Sequence, residues 1–297
     1  MRRVAGAPIT WGVCEVPGWG FQMSPDRVLA EMAAVGMTAT ELGPDGFLPG
    51  EPGALRPVLA RHGLGLVGGF VPVVLHDAAT WPGQRAGAET RIATLAEAGA
   101  TMVVLAASTG SDGYEATAAL SEDQWAHLVA AVDEVEGVAH RHGMSVSLHP
   151  HYGTVIERPD HIERLLDTST VALCLDTGHV MVGGGDPVAI AAAAAERVSH
   201  VHLKDVDTDL AQQVRSGAIT YHEAVRSGMY RQLGDGDVDV ADILSSLDVA
   251  GYDGWFVLEQ DTVLEEDPAE GEGPLVVAAA SLRYLQEGFP TASADRE

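Results

Sequence analysis

Eight short apolar runs, each followed by a stretch of helical periodicity, constrain this chain more than any other feature. They fall at residues 3–9, 39–42, 65–70, 101–106, 145–149, 171–176, 198–204 and 254–259. Helix start signals sit between them. Ser24-Pro25-Asp26 puts a cap before a proline at the first helical position, and Ser121-Glu122-Asp123-Gln124 reads as a capping box. Stops are as plain: Gly36, Gly99, Gly143 and Gly251 each follow the last periodic residue. Strands that alternate with helices pair in parallel, and eight such units predict a closed (β/α)8 barrel in a single domain over residues 1–288. An open doubly wound sheet is disfavoured, since no GxGxxG follows the first run. A partly helical insertion at about 207–239 interrupts the rhythm after strand seven, and an acidic stretch at 262–273 follows strand eight. Residues 289–297 read as a flexible tail.

Composition narrows the function classes. A net charge of −26 opposes a nucleic-acid surface. No apolar run is long enough for a bilayer, and the start lacks the apolar core of a signal peptide, so no membrane partner and a cytoplasmic location are expected. Cys14 and Cys174 lie far apart without a CxxC spacing, which fits free thiols. Of 17 basic residues only Lys204 is a lysine.

The C-terminal ends of barrel strands point at one mouth, where active sites of this architecture collect. The last four runs all end in His or a carboxylate: "SLHPH", "LCLDTGH", "HVHLKD" and "FVLEQD". Spacing i, i+2 shares a strand face, so His149 and His151 project together, as do His200, His202 and Lys204. His149, Asp176, His202 and Glu259 would meet at one level. One such residue alone reads as a cap or a hydrogen-bonded loop side chain; four consecutive strand ends do not. Two imidazoles and two carboxylates suit Mn²⁺ or Co²⁺, with Zn²⁺, Fe²⁺ or Mg²⁺ as alternatives, and leave coordination positions for a substrate. Lys204, at the same mouth, is a candidate acid or base whose pKa burial beside a cation would lower. His179 and Glu41 are further catalytic candidates. His151, Trp11 and Arg231 are assigned to substrate binding, with Trp19, Phe47 and Trp255 as an apolar rim and Tyr230 beside Arg231 as a closing segment.

The stretches "APITWG" (7–12), "TATELG" (38–43), "HPHYGTVIE" (149–157), "LCLDTGH" (173–179), "HVHLKDV" (200–206) and "GDGDVDVADIL…GYDGWFVLEQD" (234–261) resemble the xylose-isomerase-like TIM-barrel superfamily, and within it the inosose dehydratase family. The resemblance implies a hydro-lyase that dehydrates 2-keto-myo-inositol through an enediolate in inositol catabolism, acting on a small polyol or sugar, as a homo-oligomer (dimer or tetramer). A metal-dependent isomerase or epimerase of a ketose or inosose is the alternative on the same scaffold. By the same likeness Asp176, His202 and Glu259 fall on metal-ligand positions. His149 stands where the superfamily usually has Glu, and glutathione is an implied thiol cofactor.

Overall fold

A computed structural model describes residues 2–111 and 113–288; residues 289–297, expected as a tail, lie outside the described residues. The strands are β1 (Arg3–Gly6), β2 (Ala39–Thr40), β3 (Gly65–Leu66), β4 (Gly68–Val73), β5 (Met102–Ala107), β6 (Ser145–Leu148), β7 (Ala172–Asp176), β8 (Val198–Leu203), β9 (Asp205–Val206), β10 (Tyr230–Arg231) and β11 (Trp255–Leu258). Nine of them make one parallel sheet in the order β3-β2-β1-β11-β8-β7-β6-β5-β4. Its two ends are one run of chain. β3 pairs with β2, β4 pairs with β5, and only Val67 lies between them. Val67 donates to the Thr40 carbonyl at 3.0 Å and its own carbonyl accepts from Thr101 at 3.0 Å, so the seam closes into a barrel. The eight expected strands are all present once β3 and β4 are counted as one.

Closure depends on a small residue at this seam. A Cβ on Gly68 would stand 2.5 Å from the Met102 carbonyl oxygen, so glycine is needed for the two strands to approach. The caps form as their residues dictate. Ser121 and Gln124 exchange capping-box bonds at the start of helix Glu122–Arg141, and Asp186 caps helix Pro187–Ala194. Gly36, Gly99, Gly143 and Gly251 all adopt positive φ. Apolar strand residues such as Val201, Leu203, Phe256 and Leu258 join the main core with the helices, while Ala5, Ala39, Val67 and Val257 form a small separate cluster. The alternate residues of β7 and β8, Cys174, Asp176, His200 and His202, are thereby left to the interior at the catalytic end.

The segment after β8 carries helices Thr208–Arg215 and Tyr221–Arg226 and returns as β10, antiparallel to β9. Asp205 ties it down. Its carboxylate accepts from the backbone N–H groups of Gly234, Gly236 and Val238 at 2.8–3.0 Å, which fixes the "GDGD" turn. No helix among the described residues is long and apolar enough to cross a membrane.

Candidate metal centre and active site

Strand register sets the geometry. Asp176 is the direct partner of His202 across β7 and β8, and Val257, two residues before Glu259, is the partner of His202 on the other side. Asp176, His202 and Glu259 consequently place one ligand atom each within 4.8 Å of one another. All three are buried. His202 Nδ1 lies 2.7 Å from Glu259 Oε2 and 3.4 Å from Asp176 Oδ2, yet it hydrogen-bonds to neither. A buried ring nitrogen without a hydrogen-bond partner, facing two carboxylates, is what a divalent ion would complete. The residues fit such an ion. His149 sits beside them: its Nε2 is 3.2 Å from Asp176 Oδ2, and its Nδ1 has no hydrogen-bond partner. It belongs to two close trios, one with Asp176 and His179 and one with Cys174 and His202, and to none with Glu259.

Glu41 supports the set from β2's end. Its Oε1 accepts from His200 Nε2 at 2.7 Å and from His202 Nε2 at 3.1 Å. Burial would raise the Glu41 carboxyl, but His202 and His200 outweigh it and hold the group ionised, well below the usual range. Lys204 occupies an unexpected place. It has no exposed surface, and its Nζ lies 2.7 Å from Asp176 Oδ2 and 2.6 Å from Glu259 Oε1. Burial works to lower its pKa, and the sequence led to the expectation that a cation beside it would add to that. In the ion-free site the carboxylates of Asp176, Glu259 and Asp261 outweigh burial and hold it well above the usual value. Lys204 also does not line the cavity above.

That cavity has a volume of about 730 Å³ and is lined by Glu41, His149, His151, His202 and Glu259 at its floor, with Phe47, Phe70, Cys14 and Tyr114 on the walls. His151 donates from Nδ1 to the Tyr152 carbonyl at 2.7 Å, leaving Nε2 as its basic nitrogen. Burial, then the charges of His149 and Lys204, push its pKa down to about 3. His179 packs behind it with ring centroids 3.7 Å apart, accepts from the Tyr152 N–H, and does not line the cavity. Asp261, not among the residues expected at the site, also lines it. Its Oδ2 accepts from Tyr221 at 2.7 Å, its Oδ1 has no hydrogen-bond partner, and burial raises its pKa to about 6. The i, i+2 rule applied to Glu259 was the signal that would have found it.

Two expected substrate residues are elsewhere. Trp11 is fully buried and donates to Glu31 at 2.8 Å, because the short 3-10 turn Pro8–Trp11 directs it onto helix Pro25–Ala34. Arg231 binds Asp207 at 2.7 Å and lines a separate, smaller cavity, because β10 pairs with β9 and faces away from the mouth. Trp19 is sealed against Thr262, and Trp255 packs under Arg3; neither lines the cavity, whereas Phe47 does.

The sequence pattern of the family described as xylose isomerase-like TIM barrel matches residues 29–286. The chain belongs to that family. Among xylose isomerase-like TIM-barrel proteins, it is 31% identical to the inosose dehydratase of Geobacillus kaustophilus (strain HTA426), over 95% of this chain and 93% of the relative. It is 33% identical to the rhizopine catabolism protein MocC of Rhizobium meliloti, over 99% of this chain and 92% of that one. The crystal structure of the IOLI protein with a binding zinc atom superposes with a TM-score of 0.69 at 13% identity, covering 98% of this chain and all of that one.

Proposed function

We propose that the chain is a metal-dependent hydro-lyase of inositol catabolism that dehydrates an inosose, a cyclic polyhydroxy ketone of the 2-keto-myo-inositol type. The observation that carries this reading is the convergence of buried Asp176 with His202 and Glu259, the last two lining the cavity, in a chain similar to an inosose dehydratase over nearly its whole length. Asp176, His202 and Glu259, with His149 beside them, would hold a divalent ion, which would supply Lewis acidity for the substrate carbonyl. Imidazole with carboxylate favours Mn²⁺ or Co²⁺, and the zinc described for the IOLI protein supports an ion of this kind.

The chain's own residues handle the protons. His151, unprotonated at neutral pH and with its tautomer set by Tyr152, accepts the proton next to the carbonyl. Asp261, raised to about 6, retains a proton on part of the molecules near neutrality and donates it to the departing β-hydroxyl. The hydroxyl leaves as water and the ring gains a C=C bond. Glu41 Oε1 is already engaged by two histidines, which leaves Oε2 for a substrate hydroxyl. His179 backs the His151 ring. Both cysteines are free, which supports a reducing, cytoplasmic setting.

The test is incubation of Mn²⁺- or Co²⁺-loaded protein with 2-keto-myo-inositol, followed by mass spectrometry. Loss of one water with a new diketone absorbance is expected. An unchanged mass with a new isomer would establish the epimerase alternative instead. Arms with and without glutathione separate the need for a thiol cofactor, since Cys14 in the cavity wall is pushed up to about 12 by burial and offers no thiolate.

A further inference from the structure

The Lys204 ammonium is enclosed by three carboxylates from two strand ends. Asp176 Oδ2 is at 2.7 Å, Glu259 Oε1 at 2.6 Å and Asp261 Oδ1 at 3.5 Å. The third contact is long, and Asp261 Oδ1 has no hydrogen-bond partner although Asp261 is 4% exposed. A second unpaired group accompanies it. His179 Nε2 is buried without a partner, and His179, Glu259 and Asp261 bring one ligand atom each within 4.8 Å of one another. This trio shares Glu259 with the Asp176–His202–Glu259 set, so two cation positions lie side by side. One ammonium with three donors only partly satisfies four residues that could ligate a metal.

Charge points the same way. Asp176, Glu259 and Asp261 are three buried carboxyl groups gathered around the Lys204 ammonium. Buried anions need a counter-charge close by. The backbone is shaped for Lys204: a Cβ on Gly178 would stand 2.6 Å from the Lys204 Cβ and 2.7 Å from its Cδ, so the glycine makes room for the stem. Thr177 Oγ1 holds the Lys204 backbone N–H at 2.9 Å.

We propose that Lys204 is a built-in cation occupying a second metal position, formed by Asp176, His179, Glu259 and Asp261, and that this position takes a divalent ion once the ammonium is removed. The inference rests on the metal set of the proposed function for the neighbouring ion, but not on the reaction. Lys204 thereby limits the centre to one exchangeable ion.

The test counts Mn²⁺ bound per folded chain by equilibrium dialysis, with electron paramagnetic resonance to detect spin coupling. Lys204→Met is the variant of choice, because methionine ends one atom short of the ammonium and keeps the stem packed. One additional Mn²⁺ per chain is expected in K204M relative to wild type, with a spin-coupled signal, and loss of that addition in K204M/D261N. Equal counts in K204M and wild type overturn the role given to Lys204. A wild-type chain that binds no Mn²⁺ overturns the metal set of the proposed function, a separate result. If K204M and K204A fail to accumulate, expression with Mn²⁺ must restore folded protein, because the ion replaces the missing charge; failure to restore it also overturns the inference.

Discussion

Glu41 Oε1 accepts from His202 Nε2 at 3.1 Å, which leaves Nδ1 of the same ring facing Glu259 and Asp176. A carboxylate accepts only, so this contact sets the His202 tautomer and the nitrogen offered to a metal. Glu41→Gln keeps the shape but can present its NH₂ group to His202 and His200. Metal affinity is expected to fall by roughly 10–100-fold, the usual loss for an outer-sphere partner. Isothermal titration with Mn²⁺ measures it, and unchanged affinity would remove Glu41 from this role.

His151 lines the cavity with one nitrogen fixed and the other basic. His151→Gln is expected to lower kcat by roughly 10²–10⁴-fold, the scale of a lost general base. Metal content should stay at the wild-type value, since His151 belongs to none of the close ligand groups. Steady-state kinetics paired with elemental analysis distinguishes the two effects.

Chelation is expected to abolish turnover and to lower the melting temperature. An ion present at about 100 times its Kd adds about 2.7 kcal/mol to the folded state. Readdition of Mn²⁺ or Co²⁺ should return both. A chelated protein that melts at the original temperature would show that the carboxylates hold no ion.

Cys14 has a pKa of about 12 because burial disfavours its thiolate, with Glu15 adding repulsion. The raised value means the reactive form is scarce until pH approaches 12. Iodoacetamide labelling of the native protein at pH 8 is therefore expected to be slow, rising about tenfold per pH unit up to pH 10. Mass spectrometry follows the adduct. Labelling of Cys14 at the rate of a free thiol would contradict the assignment.

Gly178→Ala places a methyl against the Lys204 stem and the Tyr230 ring, with Cε1 at 2.7 Å. Overpacking of this kind costs about 1–3 kcal/mol. Thermal melting should register it, together with weakened metal binding, because the displaced stem carries the ammonium that pairs with Asp176 and Glu259.

The barrel was legible because its signal is local: alternating periods, caps and terminal glycines all act within a few residues. Asp176, His202 and Glu259 were legible for the same reason, since each ends a recognisable strand. Asp261 lies two residues beyond Glu259, past the end of β11, where the same alternation would have pointed to it. The three carboxylates around Lys204 were not legible as a group, because Asp176 comes from the end of β7 and Glu259 and Asp261 from the end of β11. Trp11 and Arg231 depended on a 3-10 turn and on an antiparallel pair inside an insertion, neither of which leaves a periodic trace. Cys14, Phe70 and Tyr114 reach the cavity through tertiary packing alone.

Val67 carries hydrogen bonds to both neighbouring strands where the ring closes. A ring joined this way presents no ragged rim at that seam onto which a stray strand could zip. The floor of the cavity is thus held to a fixed circumference. Discrimination between one cyclic polyol and another must then come from the loops above, which can be exchanged without loosening the hoop that keeps Asp176, His202 and Glu259 in place.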